Sequence, residues 1–96
     1  MNENDKNEKK TTNVLQEAHT IIYGDREKTY GKPSKNLQTI AEMWNAYLGN
    51  QVCLSPKDVA VMMVLLKAAR LSNDMNHRDS VVDICGYAAL IERCDE

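Results

Sequence analysis

Four charged residues in the second half of the chain carry the first chemical suggestion. Lys67 and Arg70 lie three apart towards the end of an apolar segment, and Asp79 and Asp83 lie four apart after a short polar connection. If both segments are helices, each pair shares one side of its helix. Two consecutive helices joined by a short turn pack antiparallel, which brings the cations near the carboxylates. Two readings stand. One is an ion-pair cluster that closes a helical hairpin. The other is a site for a phosphorylated ligand, with Lys67 and Arg70 on phosphate and Asp79 and Asp83 on Mg²⁺, which is commonly held by a few carboxylates together with substrate phosphates.

A second group lies earlier. In DREKTYGKPSKN, Arg26, Tyr30 and Asn36 offer a planar cation, an aromatic ring and an amide. That set suits the base or sugar of a nucleotide. Tyr87 could stack on a base, and His77 lies two residues before Asp79. Each also has a plainer role: Tyr30 and Tyr87 as residues bridging core and surface, His77 as a helix-entry residue. No Gly-rich phosphate loop, serine-nucleophile signature or zinc-ligand spacing occurs.

The elements that must position these residues read as helices. A first helix runs from about Asn13 to Tyr23, with Asn13 and Gln16 in capping-box positions and Gly24 as C-cap. The segment from Asp25 to Pro33 reads as a structured loop or a short turn of helix. A second helix runs from about Ser34 to Leu48 with Leu37, Ile40, Ala41, Trp44, Tyr47 and Leu48 on one face, and Gly49 ends it. A third starts at Ser55, with Pro56 at the first helical position and Asp58 complementing the dipole. Its run from Val59 to Leu66 is apolar in every direction, which predicts a central helix buried all round. A fourth runs from about Arg78 to Arg93. The expected fold is all-α, a compact bundle of about four helices spanning residues 12–96, with residues 1–11 a disordered tail too polar to offset the entropy of ordering.

Bulk properties set the outer limits. The 96 residues are 43% apolar, contain no Phe and one Trp, and carry a net charge of −2. A chain this size buries a single core with little margin, so a homo-oligomer is the expectation. A mildly acidic chain makes nucleic acid an unsuitable main partner, because phosphate neutralisation needs a basic face. Cys53, Cys85 and Cys94 are odd in number and form no CxxC, which suits free thiols in a reducing cytosol. No apolar run reaches the roughly 20 residues of a membrane span.

The strings GDREKTYGKPSKN, IAEMW, SPKDVAVMMVLLKAAR and HRDSVVDICGYAAL resemble a family of small phage and prophage proteins of unknown function, over about residues 14–93. That resemblance implies a phage origin. More distantly, Asp79 and Asp83 followed by residues 84–90 look like the last metal-binding helix of all-α nucleoside triphosphate pyrophosphohydrolases of the MazG and dUTPase type. Here the acidic spacing is one residue longer. The ExxE pair of their other metal helix has no counterpart, Glu42 being the acidic residue near Ala41 to Tyr47 and Asp58 the one on the central helix. The resemblance implies a nucleotide-handling protein, either hydrolysing to monophosphate and pyrophosphate or sequestering its ligand. The alternative is a phage-encoded protein-binding module that inhibits a host or defence factor.

Overall fold

The computed structural model describes residues 13–95, which among themselves form helices and turns and no strand; the expected tail lies outside the described residues. Helix α1 (Val14–Thr20) starts as its sequence predicts. Asn13 Oδ1 accepts from the Gln16 backbone N–H at 2.9 Å, and Gln16 Oε1 accepts from the Asn13 N–H at 3.3 Å. The chain does not stop at Gly24. It continues through a π-helical turn, Ile21–Asp25, into α2 (Arg26–Tyr30), so one rod runs from Val14 to Tyr30. The stop falls at Gly31, whose φ of 80° lies in the left-handed region that glycine enters without a steric penalty. The run Asp25–Lys28 lacks Pro and β-branched residues, and Arg, Glu and Lys propagate a helix well, so of the two readings of this segment, structured loop or short turn of helix, the helical one holds.

Pro33 opens α3 (Pro33–Tyr47), with Lys32 held extended before it. Gly49 at φ 72° and Asn50 at φ 57° turn the chain. Asn45 then clamps the return segment, accepting from the Leu54 N–H at 2.8 Å and donating to the Leu54 carbonyl at 3.2 Å. Helix α4 (Pro56–Asn73) begins in a full capping box: Ser55 Oγ accepts from the Asp58 N–H, and Asp58 Oδ2 accepts from the Ser55 N–H at 2.8 Å. Those hydrogen bonds, backbone first and hydroxyl second, hold the Asp58 carboxyl below its ordinary range. Helix α5 (Arg78–Arg93) has His77 as its cap.

The core joins Ile22 of the π turn, Leu37 and Ala41 of α3, Val59 and Ala60 of α4, and Leu90 of α5. Trp44 and Tyr87 pack partly against it. The central element is α5, which touches α4 most extensively and also α1, the π turn and α3, whereas the first rod does not reach α4. This corrects the expectation for the third helix. Only Val59 and Ala60 of α4 are buried, and Leu65 is 62% exposed. With α3 and α5 on adjoining sides, no other described element covers the remaining arc. Among the described residues no helix is long and apolar enough to cross a membrane.

Candidate functional site

A small cleft of about 50 Å³ opens where the first rod crosses α5. Ala18, Ile22 and Arg26 recur at four-residue spacing along the rod and line one wall; Val82, Asp83, Gly86 and Tyr87 of α5 line the other. The two helices meet closely because residue 86 has no side chain. A Cβ built there would stand 3.3 Å from Ile22 Cγ2. A glycine inside a helix is unfavourable by propensity, and close approach is its reason here.

The rod's π turn shapes this wall. The Arg26 N–H reaches back to the Ile21 carbonyl, a five-residue step, and the Gly31 N–H reaches the Glu27 carbonyl, a four-residue step. Passing from one step to the other leaves one more carbonyl than there are donors. Arg93, at the end of α5 and 6% exposed, supplies a donor: Nη1 gives a hydrogen bond to the Ile22 carbonyl at 3.0 Å. Its Nη2 donates to Glu27 Oε1 at 2.6 Å, and its Cζ lies 4.2 Å from the centre of the Tyr23 ring. One buried cation thus ties the π turn, α2 and α5 together, and its charge is met by a carboxylate and a ring face.

Arg26 is held from three sides. Its Nη2 donates to Asn36 Oδ1 of α3 at 3.0 Å, and its Cζ lies 4.9 Å from the Tyr30 ring centre and 5.3 Å from that of Tyr87. The structure therefore gathers Arg26, Tyr30, Asn36 and Tyr87 in one place, from three different helices. Asp83 lines the same cleft and accepts an ion pair from Lys67 Nζ at 3.1 Å. With side chains 16% and 36% exposed, that pair spans the α4–α5 hairpin at the edge of solvent.

The other sequence candidates fall elsewhere. Arg70 and Asp79 are exposed and lie outside the Lys67–Asp83 pair, so the expected four-charge cluster reduces to two. His77 caps α5: its Nδ1 accepts from the Ser80 N–H at 3.3 Å and lies 2.7 Å from Ser80 Oγ, which commits that ring nitrogen to the helix start. No group of three or more His, Cys, Asp and Glu side chains placed to hold a metal occurs among the described residues. Asp83 is engaged by Lys67, and Asp79 points to solvent, so the two aspartates do not form a self-contained Mg²⁺ site. Burial pushes the Cys94 thiol up, against the pull of Lys57.

Residues 13–95 match a domain of unknown function, DUF6378. The chain belongs to the DUF6378 family. Curated relatives come from phages. The chain is 42% identical over 83 residues to the Gene 55 protein of Mycobacterium phage D29, covering 86% of this chain and 54% of that protein. It is 46% identical over 80 residues to the Gene 55 protein of Mycobacterium phage L5, covering 83% and 51%. The DUF6378 chain thus spans about half the length of these relatives. No solved structure matches. The phage family read from the YG loop and the two C-terminal helices is the family found.

Two features of this DUF6378 domain escaped sequence reading: the Arg93 clasp and the close approach at Gly86. Arg93 had a signal only as a last-turn cation. Gly86, a glycine mid-helix in an apolar face, was the sharper clue.

Proposed function

We infer that the DUF6378 domain binds a phosphorylated nucleotide at the cleft between the first rod and α5. The observation that supports it is Arg26, its guanidinium lying 4.9 and 5.3 Å from the rings of Tyr30 and Tyr87 at the rim of the cleft. A guanidinium of this kind pairs with phosphate oxygens in bidentate geometry, and an aromatic ring beside it offers a stacking platform for a base. Tyr30 is 55% exposed and free to turn onto a ligand. Lys67 supplies a second cation, which can exchange Asp83 for a phosphate.

A space of about 50 Å³ takes one ring or one phosphate, not a whole nucleotide. The ligand therefore lies half in the cleft and half along its rim, towards Lys67. A Mg²⁺ ion belongs to this reading only as one carried in by the ligand's phosphates, with Asp83 and Asp79 as outer partners. The same distant likeness to nucleoside triphosphate pyrophosphohydrolases on α5 favours a nucleotide over other phosphorylated molecules. Binding, with or without turnover, is the function assigned.

The test is mass spectrometry on the purified protein mixed with nucleoside triphosphates, deoxynucleotides and cyclic nucleotides, with and without Mg²⁺. Retention of one nucleotide, reduced at least tenfold in Arg26→Gln while far-UV circular dichroism is unchanged, is the expected result. Release of pyrophosphate would make the protein a hydrolase; retention without product would make it a sponge. No retained nucleotide, or equal retention by Arg26→Gln, would overturn the reading and leave a protein-binding module as the function to pursue.

A further inference from the structure

Among the described residues, the side of α4 turned away from α5 is apolar and uncovered. In α4, a turn of 100° per residue sets Val59, Met63 and Lys67 towards the core and α5, and Val61, Leu65, Ala68 and Ala69 on the opposite side. Val61, Met62, Leu65 and Leu66 are 44%, 38%, 62% and 47% exposed. Beside them the end of α3 contributes Tyr47 and Leu48, at 89% and 46%. No charged side chain interrupts α4 between Asp58 and Lys67. Soluble monomers rarely leave a contiguous patch of this kind open.

We propose that this α3–α4 face is the interface of a two-fold homodimer, a second copy of the chain being its occupant. Three observations select that occupant. The patch has no charge for a charged partner to answer, and depletion of charge is the mark of an interface centre. It carries both parts of a self-complementary contact. Trp44, Leu48, Leu54 and Met62 line a shallow apolar groove, and Leu65 projects one helical turn from Met62, so the knob of each copy can enter the groove of the other. The area also fits. A Val, Leu or Met side chain carries on the order of 60–120 Å² of apolar surface and a tyrosine more, so the six exposed side chains present on the order of 350 Å². A standard interface buries about 800 Å² per partner, of which about 65% is apolar in homodimers. The patch therefore supplies most of the apolar area that a stable dimer needs.

The chain's own core needs the help. Among the described residues, three of the eight buried hydrophobic ones are alanines, Ala18, Ala41 and Ala60. Pairing through α3 and α4 leaves the Arg26 cleft open on the far side of α5, so dimerisation and the proposed ligand site are independent and can fail separately.

The test is sedimentation equilibrium on the full 96-residue chain over a wide concentration range, with Leu65→Glu and Met75→Glu. Met75 is 75% exposed in the turn between α4 and α5, away from the face, and serves as the control. The wild type is expected at twice the 10.9 kDa chain mass, Met75→Glu with it, and Leu65→Glu at the single-chain mass with unchanged helix content. A wild type that stays monomeric at the highest concentration would overturn the proposal, and the face would then await a different protein. A Leu65→Glu variant that remains dimeric would overturn it equally, as would loss of the dimer in both variants.

Discussion

One side of α4 holds Lys67 against Asp83 of α5 at 3.1 Å; the opposite side leaves Leu65 62% exposed. The first side is ordered by specific polar contacts. Arg93 bridges Ile22 and Glu27, Arg26 bridges Asn36 and two tyrosines, and His77 caps α5. On the second side the Asn45–Leu54 clamp ties the return segment to α3, and the exposed face itself is made of apolar side chains. Polar networks specify one arrangement, because a partly satisfied one is costly. An apolar face specifies only that something must cover it. The comparison teaches that position within this fold is set on the α5 side, while the α3–α4 side is where association would add stability.

Substitutions on the two sides should differ in size and kind. The largest effect is expected at Arg93. Arg93→Ala removes the donor to a buried carbonyl, leaves Glu27 without its cation and opens a gap beside Tyr23, for a loss of about 3 kcal/mol. Urea denaturation checks it. A loss below about 1 kcal/mol would mean that the π turn holds without the clasp.

Gly86→Val comes next. The added side chain meets Ile22 and must part the rod from α5, at about 2 kcal/mol, and it should abolish ligand retention at the cleft at the same time. Gly86→Ala is a finer probe, since Ile22 Cγ2 has only to give by a few tenths of an ångström. Thermal melts of the two variants, compared with that of Leu65→Glu, would sharpen the contrast, because the Glu should alter the melting point only through its effect on association.

The smallest effect lies at the start of α4. Ser55→Ala removes the cap and should lower stability by about 1 kcal/mol. The cap also carries a pH dependence. Because the folded protein holds the Asp58 carboxyl below its ordinary value of 3.8, its contribution is present in full above that value and fades as acid titrates the folded group. Wild type should therefore lose more stability than Ser55→Ala below about pH 4, read from denaturation midpoints at a series of pH values.

The extent of helix was legible in the sequence because its punctuation is local. Asn13 with Gln16, Ser55 with Pro56 and Asp58, and the turn at Gly49 fall where their chemistry predicts, and α5 keeps the expected limits at Arg78 and Arg93. Gly24 misled, since a glycine permits a helix end without requiring one. Of the site, Arg26, Tyr30 and Asn36 could be grouped from their proximity along the chain, and Lys67 with Asp83 from the geometry of a helical hairpin. Arg70 and Asp79 were grouped with them by helical spacing alone, which says which residues share a side of a helix but not which side faces a neighbour.

What only the tertiary structure decided are the relations between distant segments. The run from Val59 to Leu66 announces apolar surface, yet whether it is covered depends on where the first rod packs. That rod lies on α5, where Gly86 lets Ile22 approach and Arg93 takes the Ile22 carbonyl, contacts between residues 64 and 71 positions apart. By itself the sequence determined an all-α phage-family domain with defined helix starts, because capping and propensity act within a few residues. The tertiary structure decided which helix is central, which charges meet and which face stays bare, because those follow from packing, where one missing side chain and one buried cation outweigh local pattern.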